Sequence, residues 1–569
     1  MLMTIGRGLA PVANRPRFPF KRFDLTTALS PEITFVRNAP ATVRNNAGKL
    51  VAVGIDEPRF DHDENKVGLG LLFEPEATNK CSNYNLNPTD TAGFVTSGTG
   101  TLSVVDDAVE LANAGLDSIC TGGKVYKAQA TSASTFVVYI PGTCGNLNAH
   151  SLSFYARGEG TGGRTARISL GGATMDVGFV GQGYTQYKYE NVVPNSTGRK
   201  FTIVVDGNDT LYFILNQLEE GTSCSSLIPV SGSTVTRPSD RAYINNIGGY
   251  SWFNPEQGYM ICRYRQQTLI PADAYAAVLN DGTSANTIGL RLDQTNHNLR
   301  GYVRSNSTSQ FTLANQDYQL AGIMNGAGIK WNSADVEIIS GGENAQDTIT
   351  QLPLNISMLE IGGRNGGASS IHGHVSYIEI GTQNLTTKQL GQRCQKSQDM
   401  VIIGAGQSLI KGYFDSVESG SEAGKQKFRD IIGQALPDVA PVLVDGSTGG
   451  SAASKTSNAT NYWWDLSLNE RGNSLTHFYD VIDAAGIKPT AVLWGQGEED
   501  SHHIGVSTSG AQYKQCLEAI FADMRATLGN IPVYMQRIGR RSSFSNTGGV
   551  QAVRDIQQEM INTYDWIIE

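Results

Sequence analysis

For most of its length the chain alternates apolar and polar residues over short stretches. In the run at 134–140, Phe136, Val138 and Ile140 alternate with Val137 and Tyr139, and similar runs lie at 151–156 and 200–205. Turn-forming residues separate these runs at short intervals, which predicts an all-β sandwich over 80–240. A second β-rich unit is predicted over 241–395, with strands at 258–265, 287–292 and 374–380. The last of these leads into Leu385-Thr386-Thr387, where a threonine can cap a short helix.

Beyond residue 395 the period changes. Val401-Ile402-Ile403, Val442-Leu443-Val444 and Ala491-Val492-Leu493-Trp494 are unbroken apolar runs, as a parallel strand buried on both faces requires. Tyr513, Leu517, Ile520, Phe521, Met524 and Leu528 fall at helical spacing ahead of an apolar run at 531–535. Val550, Val553, Ile556, Gln557 and Met560 mark a further helix, and 564–569 reads as one more strand. Helix alternating with strand predicts a parallel sheet and an α/β domain over 396–569. Residues 1–35 carry Pro11, Pro16, Pro19 and Pro31 and show no period, so 1–79 is expected to be an N-terminal arm and attachment region ordered by another protein.

Composition narrows this picture. A chain of 569 residues exceeds one domain, and 64 glycines with only 17% charged residues suit turn-rich β modules. A net charge of -9 leaves no basic footprint, so no nucleic-acid partner is expected. The seven cysteines are odd in number and lack Cys-x-x-Cys spacing, which argues against a disulfide framework and for a reducing compartment or simple packing. No apolar run reaches about 18 residues, so no membrane span is expected. The basic N-terminus lacks the apolar core of a secretory signal, so such a signal is not expected.

The candidate chemistry sits at the ends of the three apolar runs. The first enters Gly404-Ala405-Gly406-Gln407-Ser408, which presents a hydroxyl where open α/β sheets bind ligands, making Ser408 a candidate nucleophile. Leu409 and Ile410 follow it, so the Gly-x-Ser-x-Gly elbow is not completed. The second run enters Asp445-Gly446-Ser447-Thr448-Gly449-Gly450-Ser451 and the third Gly495-Gln496-Gly497-Glu498-Glu499-Asp500. Acyl transfer needs donors aimed at a developing oxyanion, and Gly449 and Gln496 fit that role.

These three ordered blocks resemble the SGNH (GDSL-like) hydrolases, in the form found in the sialate O-acetylesterase branch, over roughly 398–569. The resemblance implies a flavodoxin-like three-layer fold with Ser408 as nucleophile. It places the oxyanion donors at Gly449, with Gly450 as a one-residue alternative, and at Gln496. It also implies a general base in a final Asp-x-x-His after the last strand, and the sequence stops at Glu569 without one. Three readings stay open: a base beyond Glu569, His503 of Asp500-Ser501-His502-His503 as the base, or an inactive domain kept for binding. His502 and His503 have the plainer alternative of being loop residues.

Two other segments, Gly68 to Asn79 and Ile228 to Asp240, resemble stretches of bacteriophage tail proteins that open and close a jelly-roll lectin-like domain. The end of the 241–395 unit resembles concanavalin A-like (laminin G-like) sandwiches. Together these resemblances imply a tail fibre or tailspike-type virion protein. It would bind bacterial surface polysaccharide, remove its O-acetyl groups, attach to other tail proteins through its N-terminal region and assemble as a homotrimer. A non-catalytic virion protein and a bacterial carbohydrate acetylesterase with sugar-binding modules are the alternatives. Trp252, Phe253, Tyr302 and Trp331 are possible sugar platforms, although sandwich aromatics more often serve the core. Trp463 and Trp464 could line a cleft or simply pack, and Glu498 could hold its own turn. His372 and His374 share a strand face without a third ligand in view, so neither a metal nor a cofactor is expected.

Overall fold

A computed structural model describes residues 19–63, 65–159, 165–171, 173–179, 183–268, 273–293, 298–318, 322–341, 343–353, 355–364, 366, 369–395, 400–407, 441–538 and 546–569. Strand dominates it, at 43% against 15% helix.

Two eight-stranded antiparallel sheets form the largest body. Gly258–Gln266, Met324–Trp331 and Gly373–Gly381 lie at the centre of one; Ala274–Asn280, Thr287–Leu292 and Met358–Ile361 lie at the centre of the other. Their inward side chains, among them Met260, Leu290, Trp331 and Ile378, make one continuous core.

The expected N-terminal arm is corrected here, because its described residues belong to this sandwich. Phe20–Asp24 and Gly68–Phe73 share one edge of Gly373–Gly381, and Thr34–Val36 pairs with Arg241–Asn245. Phe23, Phe35, Leu71 and Phe73 are core residues. Strands of three to six residues are too short to display a period, and partners such as Arg22 and Glu379 lie 357 residues apart, so no local pattern announces them. The unit predicted over 241–395 is therefore incomplete by itself.

Between these N-terminal strands and residue 241 a second sandwich is inserted. Eight of its strands run from Lys124–Ala130 to Thr210–Glu220, and in order of appearance they stack as 6-3-8-1 in one sheet and 5-4-7-2 in the other. That is a jelly roll. The insertion leaves and returns at one point, where Ala77–Asn79 pairs with Val235–Arg237. Beneath this pair lies a buried cluster of charges. Arg59 reaches Glu74 at 2.6 Å and also pairs with Asp240; Arg237 lies 3.3 Å from Glu74, and Arg37 lies 3.2 Å from Asp240. The segments Gly68 to Asn79 and Ile228 to Asp240 thus meet as the two halves of one joint.

The C-terminal domain follows the helix Thr387–Cys394, whose capping box uses Thr386 and Gln389 as expected for a threonine cap. Leu390 and Cys394 pack on Tyr259, Ile261 and Ile339 of the large sandwich, while Gly391 abuts the helix Asn473–Ala485: a Cβ there would meet the Ala485 carbonyl at 2.5 Å. Five parallel strands follow, Met400–Gly406, Pro441–Asp445, Ala491–Gly495, Val533–Met535 and Ile567–Ile568, arranged 2-1-3-4-5. This is the flavodoxin-like doubly wound order. The helix Gly510–Leu528 buries Tyr513, Leu517, Ile520, Phe521 and Met524 on the spacing read from the sequence. The last strand is shorter than expected. All seven cysteines are free and buried. No helix among the described residues is long and apolar enough to cross a membrane.

Candidate active site

In a 2-1-3-4-5 sheet the strand order reverses between the first and third strands, and ligands bind outside their carboxyl ends. Those ends are Gly406-Gln407 and Gly495-Gln496, and the second block arrives beside them. Thr448 N–H donates to the Gly406 carbonyl at 3.0 Å, and the Ser451 hydroxyl donates to the same oxygen at 3.2 Å. Gln407 N–H donates to the Gly495 carbonyl at 3.0 Å. The Gln407 side-chain oxygen in turn accepts from Gly497 N–H at 3.4 Å and Glu499 N–H at 3.3 Å. Three loops separate in sequence are stitched around one glycine, immediately before the candidate nucleophile.

Gly406 is irreplaceable in this arrangement. Its φ is +125°, and a Cβ there would lie 2.1 Å from the Gly495 carbonyl oxygen. Gly449 and Gly450 form an exposed turn after the second strand. Ser408 itself lies outside the described residues.

Gln496 is fully buried. Its amide nitrogen donates to the Asp500 carboxylate, and its side-chain oxygen is 3.5 Å from the Tyr513 hydroxyl. An amide nitrogen has two N–H groups, and Asp500 takes one of them. Asp500 is also fully buried; it accepts from Ala453 N–H at 2.7 Å and Ser454 N–H at 3.4 Å. Burial pushes its carboxyl above the usual range, while the Ala453 and Gln496 donors oppose the rise. Asp500 therefore ties the segment after the second block to the third block.

His503 ends the helix Glu498–His503, where it contacts Glu499 at 3.6 Å and the Ser507 hydroxyl at 3.2 Å. The two ends of the Asp-x-x-His thus have different surroundings: Asp500 faces inward to the Ala453 backbone, and His503 faces Glu499 and Ser507.

No known family model matches the chain. Solved structures are similar to parts of it. AlinE4, an SGNH-hydrolase family esterase, is 16% identical, with 31% of this chain and 77% of that one covered and a TM-score of 0.23. The CBM40 module of a Ruminococcus gnavus IT-sialidase bound to α2,3-sialyllactose is 16% identical, with 24% and 80% covered and a TM-score of 0.21. Domain 4 of AbnA, a GH43 extracellular arabinanase from Geobacillus stearothermophilus, in complex with arabinotriose, is 12% identical, with 31% and 83% covered and a TM-score of 0.24.

Sequence reasoning missed the supporting polar shell. Gln557 is fully buried; it donates to the Gln496 backbone carbonyl at 2.7 Å and accepts from Ile538 N–H at 3.1 Å. Gln557 lies on the otherwise apolar side of its helix, and a glutamine in that position is the available signal. Ser451 links the site to the core by accepting from the Trp463 indole N–H at 2.9 Å. Trp463 is fully buried and packs on Trp494 at 4.9 Å, so its role is packing and support.

Away from this domain, Trp252, Phe253 and Trp331 belong to the core of the large sandwich and offer no sugar platform. His374 contacts Asp61 at 2.9 Å, and His372 contacts the Ser223 hydroxyl at 3.1 Å. Among the described residues no group of three or more His, Cys, Asp or Glu side chains could hold a metal.

Proposed function

We propose that the C-terminal domain is a serine esterase of the SGNH type that removes O-acetyl groups from a polysaccharide held by the sandwich modules. The observation that carries this reading is the convergence of three loops on Gly406 at the sheet's switch point, with Gly449 in an exposed turn and the Gln496 amide buried.

In the proposed reaction Ser408 Oγ attacks the acetyl carbonyl and loses its proton to a base, and the carbonyl oxygen becomes an oxyanion. The backbone N–H groups of Ser408 and Gly449 and the Gln496 amide stabilise that charge. Collapse of the intermediate expels the sugar oxygen, which takes the proton from the base. Water then repeats the attack on the acyl-serine, releasing acetate and restoring Ser408. His503, at the end of the helix Glu498–His503, is the proposed base within the described residues. The biological setting we propose is a phage tail fibre or tailspike, a homotrimer in the virion tail that adsorbs to bacterial surface polysaccharide and holds other tail proteins through its N-terminal region. The large sandwich would be its concanavalin A-like module.

Labelling with a fluorophosphonate probe, followed by peptide mapping, tests the chemistry. An adduct on Ser408 that is lost in Ser408→Ala, together with acetate release from an O-acetylated polysaccharide, is the expected result. Folded protein without an adduct would refute the esterase and leave a binding protein. His503→Ala should abolish acetate release if His503 is the base. Light scattering tests the trimer, and recovery of the chain with purified particles tests the virion setting.

A further inference from the structure

The jelly roll has two outward sheet faces, and the described residues pack a hydrophobic cluster on one of them. On the sheet containing Lys124–Ala130 and Thr210–Glu220, Tyr155, Tyr212 and Ile214 are covered by Leu111, Leu116 and Ile119, with Leu50 and Leu227 alongside. The opposite sheet contains Phe136–Tyr139, Thr165–Leu170 and Thr202–Val205. Its inward residues, including Phe136, Val138, Ile168 and Ile203, complete the module's core. Its outward residues line an open trough of about 490 Å³, within the ~300–1,000 Å³ range of small-molecule sites.

The chemistry of this trough is specific. Tyr139 lies opposite Thr202, and Thr202 lies opposite Ser169, so a half-buried phenol ring and two hydroxyls form one row across the sheet. Val204 in the neighbouring row adds apolar surface. A flat ring beside hydroxyls suits a sugar, whose C–H face packs on the aromatic while its hydroxyls find partners. The loop Gly198-Arg199-Lys200 forms the rim. Arg199 Nε donates to the Asn195 side chain at 2.6 Å, which orients the guanidinium and leaves its remaining N–H groups available. Among the described residues neither Arg199 nor Lys200 has a carboxylate partner, whereas Arg167 on the same sheet is matched by Asp206 at 2.8 Å. In a chain of net charge -9, two cations without a carboxylate partner among the described residues, at the edge of this trough, favour an anionic ligand.

We propose that this sheet face binds an acidic polysaccharide. A sugar ring rests on Tyr139 and Val204, its hydroxyls meet Thr202 and Ser169, and its carboxylate is held by Arg199 and Lys200. The proposal deepens the reading above and rests on its polysaccharide-binding part, not on the esterase.

The test is affinity electrophoresis of the intact protein through gels containing polygalacturonate or its fully methyl-esterified form, which keeps the backbone and loses the charge. Polygalacturonate should retard the wild type more strongly than the ester does, with the effect weakened by salt. Arg199→Ala, Lys200→Ala and Tyr139→Ala should each weaken binding roughly tenfold, the size of one charge-assisted hydrogen bond or one ring contact. The two cation variants are on the rim and keep the test valid if Tyr139→Ala fails to fold, which thermal unfolding will show. No retardation by polygalacturonate, equal retardation by the ester, or cation variants that bind like the wild type would each overturn the proposal. Ser408 labelling is read on the same samples. Labelling without retardation removes the trough alone, and retardation without labelling removes the esterase alone.

Discussion

Replacing Glu74 by Gln tests whether charge holds the two sandwiches together. The Glu74 side chain is fully buried. It accepts from Arg59 at 2.6 Å, from Ser226 N–H and from the Ser226 hydroxyl, each also at 2.6 Å, and lies 3.3 Å from Arg237. Gln keeps the volume and removes the charge, leaving Arg37, Arg59 and Arg237 with Asp240 alone. Each guanidinium–carboxylate attraction at such distances is worth about 4 kcal/mol at an effective dielectric of ~20, and two are lost. Relief of the carboxylate's own desolvation returns several kcal/mol. The net cost is about 3–5 kcal/mol, as expected when one partner of a buried pair is removed and the others stay. A chain with several modules does not unfold in one step, so the measurement is hydrogen exchange read peptide by peptide. Exchange in Ala77–Asn79 and Val235–Arg237 should rise by roughly two to four powers of ten, while Met400–Gly406 stays unchanged. The exposed Lys388–Asp483 pair is the control, and Lys388→Ala should cost less than about 1 kcal/mol. Acid gives the same test without mutation. Burial alone would raise the Glu74 carboxyl, but Arg237 and Arg59 hold it well below its ordinary value of 4.5. Its contribution is therefore complete above about pH 4.5 and is lost as pH falls below that toward its folded value. A joint whose exchange changes less than about tenfold in Glu74→Gln would refute the argument.

Three further outcomes concern the crevice. Gly406→Ala should cost about 3 kcal/mol or more and abolish Ser408 labelling, because the new methyl meets the Gly495 carbonyl; Gly450→Ala, where a Cβ has open space and φ is +66°, should cost only about 1 kcal/mol in thermal unfolding. Gln557→Leu leaves the Gln496 carbonyl and Ile538 N–H unpaired, so the domain should lose about 2–4 kcal/mol and esterase kcat should fall more than KM changes; unchanged kcat would remove Gln557 from the supporting shell. Asp500→Asn turns one acceptor oxygen into a donor facing the Ala453 N–H or the Gln496 amide, so acetate release should drop sharply. Because burial raises the Asp500 pKa, its ionised form opposes folding; the wild-type domain should lose stability as pH rises through the range above 3.8, and the variant should not show that slope.

Some of this molecule could be read directly from local pattern. The spacing of Tyr513, Leu517, Ile520, Phe521 and Met524 marked a helix because one turn of 3.6 residues puts them on one side. Unbroken runs such as Val401-Ile402-Ile403 marked buried parallel strands, and Thr386 marked a helix start. The three chemical blocks were visible because glycine turns at the ends of apolar runs are local features. Tertiary structure alone decided which pieces belong together. Phe20–Asp24 joins a strand more than 350 residues away, and the period of 2 that sets which face a residue takes says nothing about which strand will be its neighbour. The pairing of Glu74 with Arg59 and Arg237 joins ends of an insertion that the sequence places more than 150 residues apart. The stitching of Thr448, Gln407 and Gly495 around Gly406 exists only once the parallel register aligns three strand ends, since hydrogen bonds between loops depend on distances that local sequence does not set.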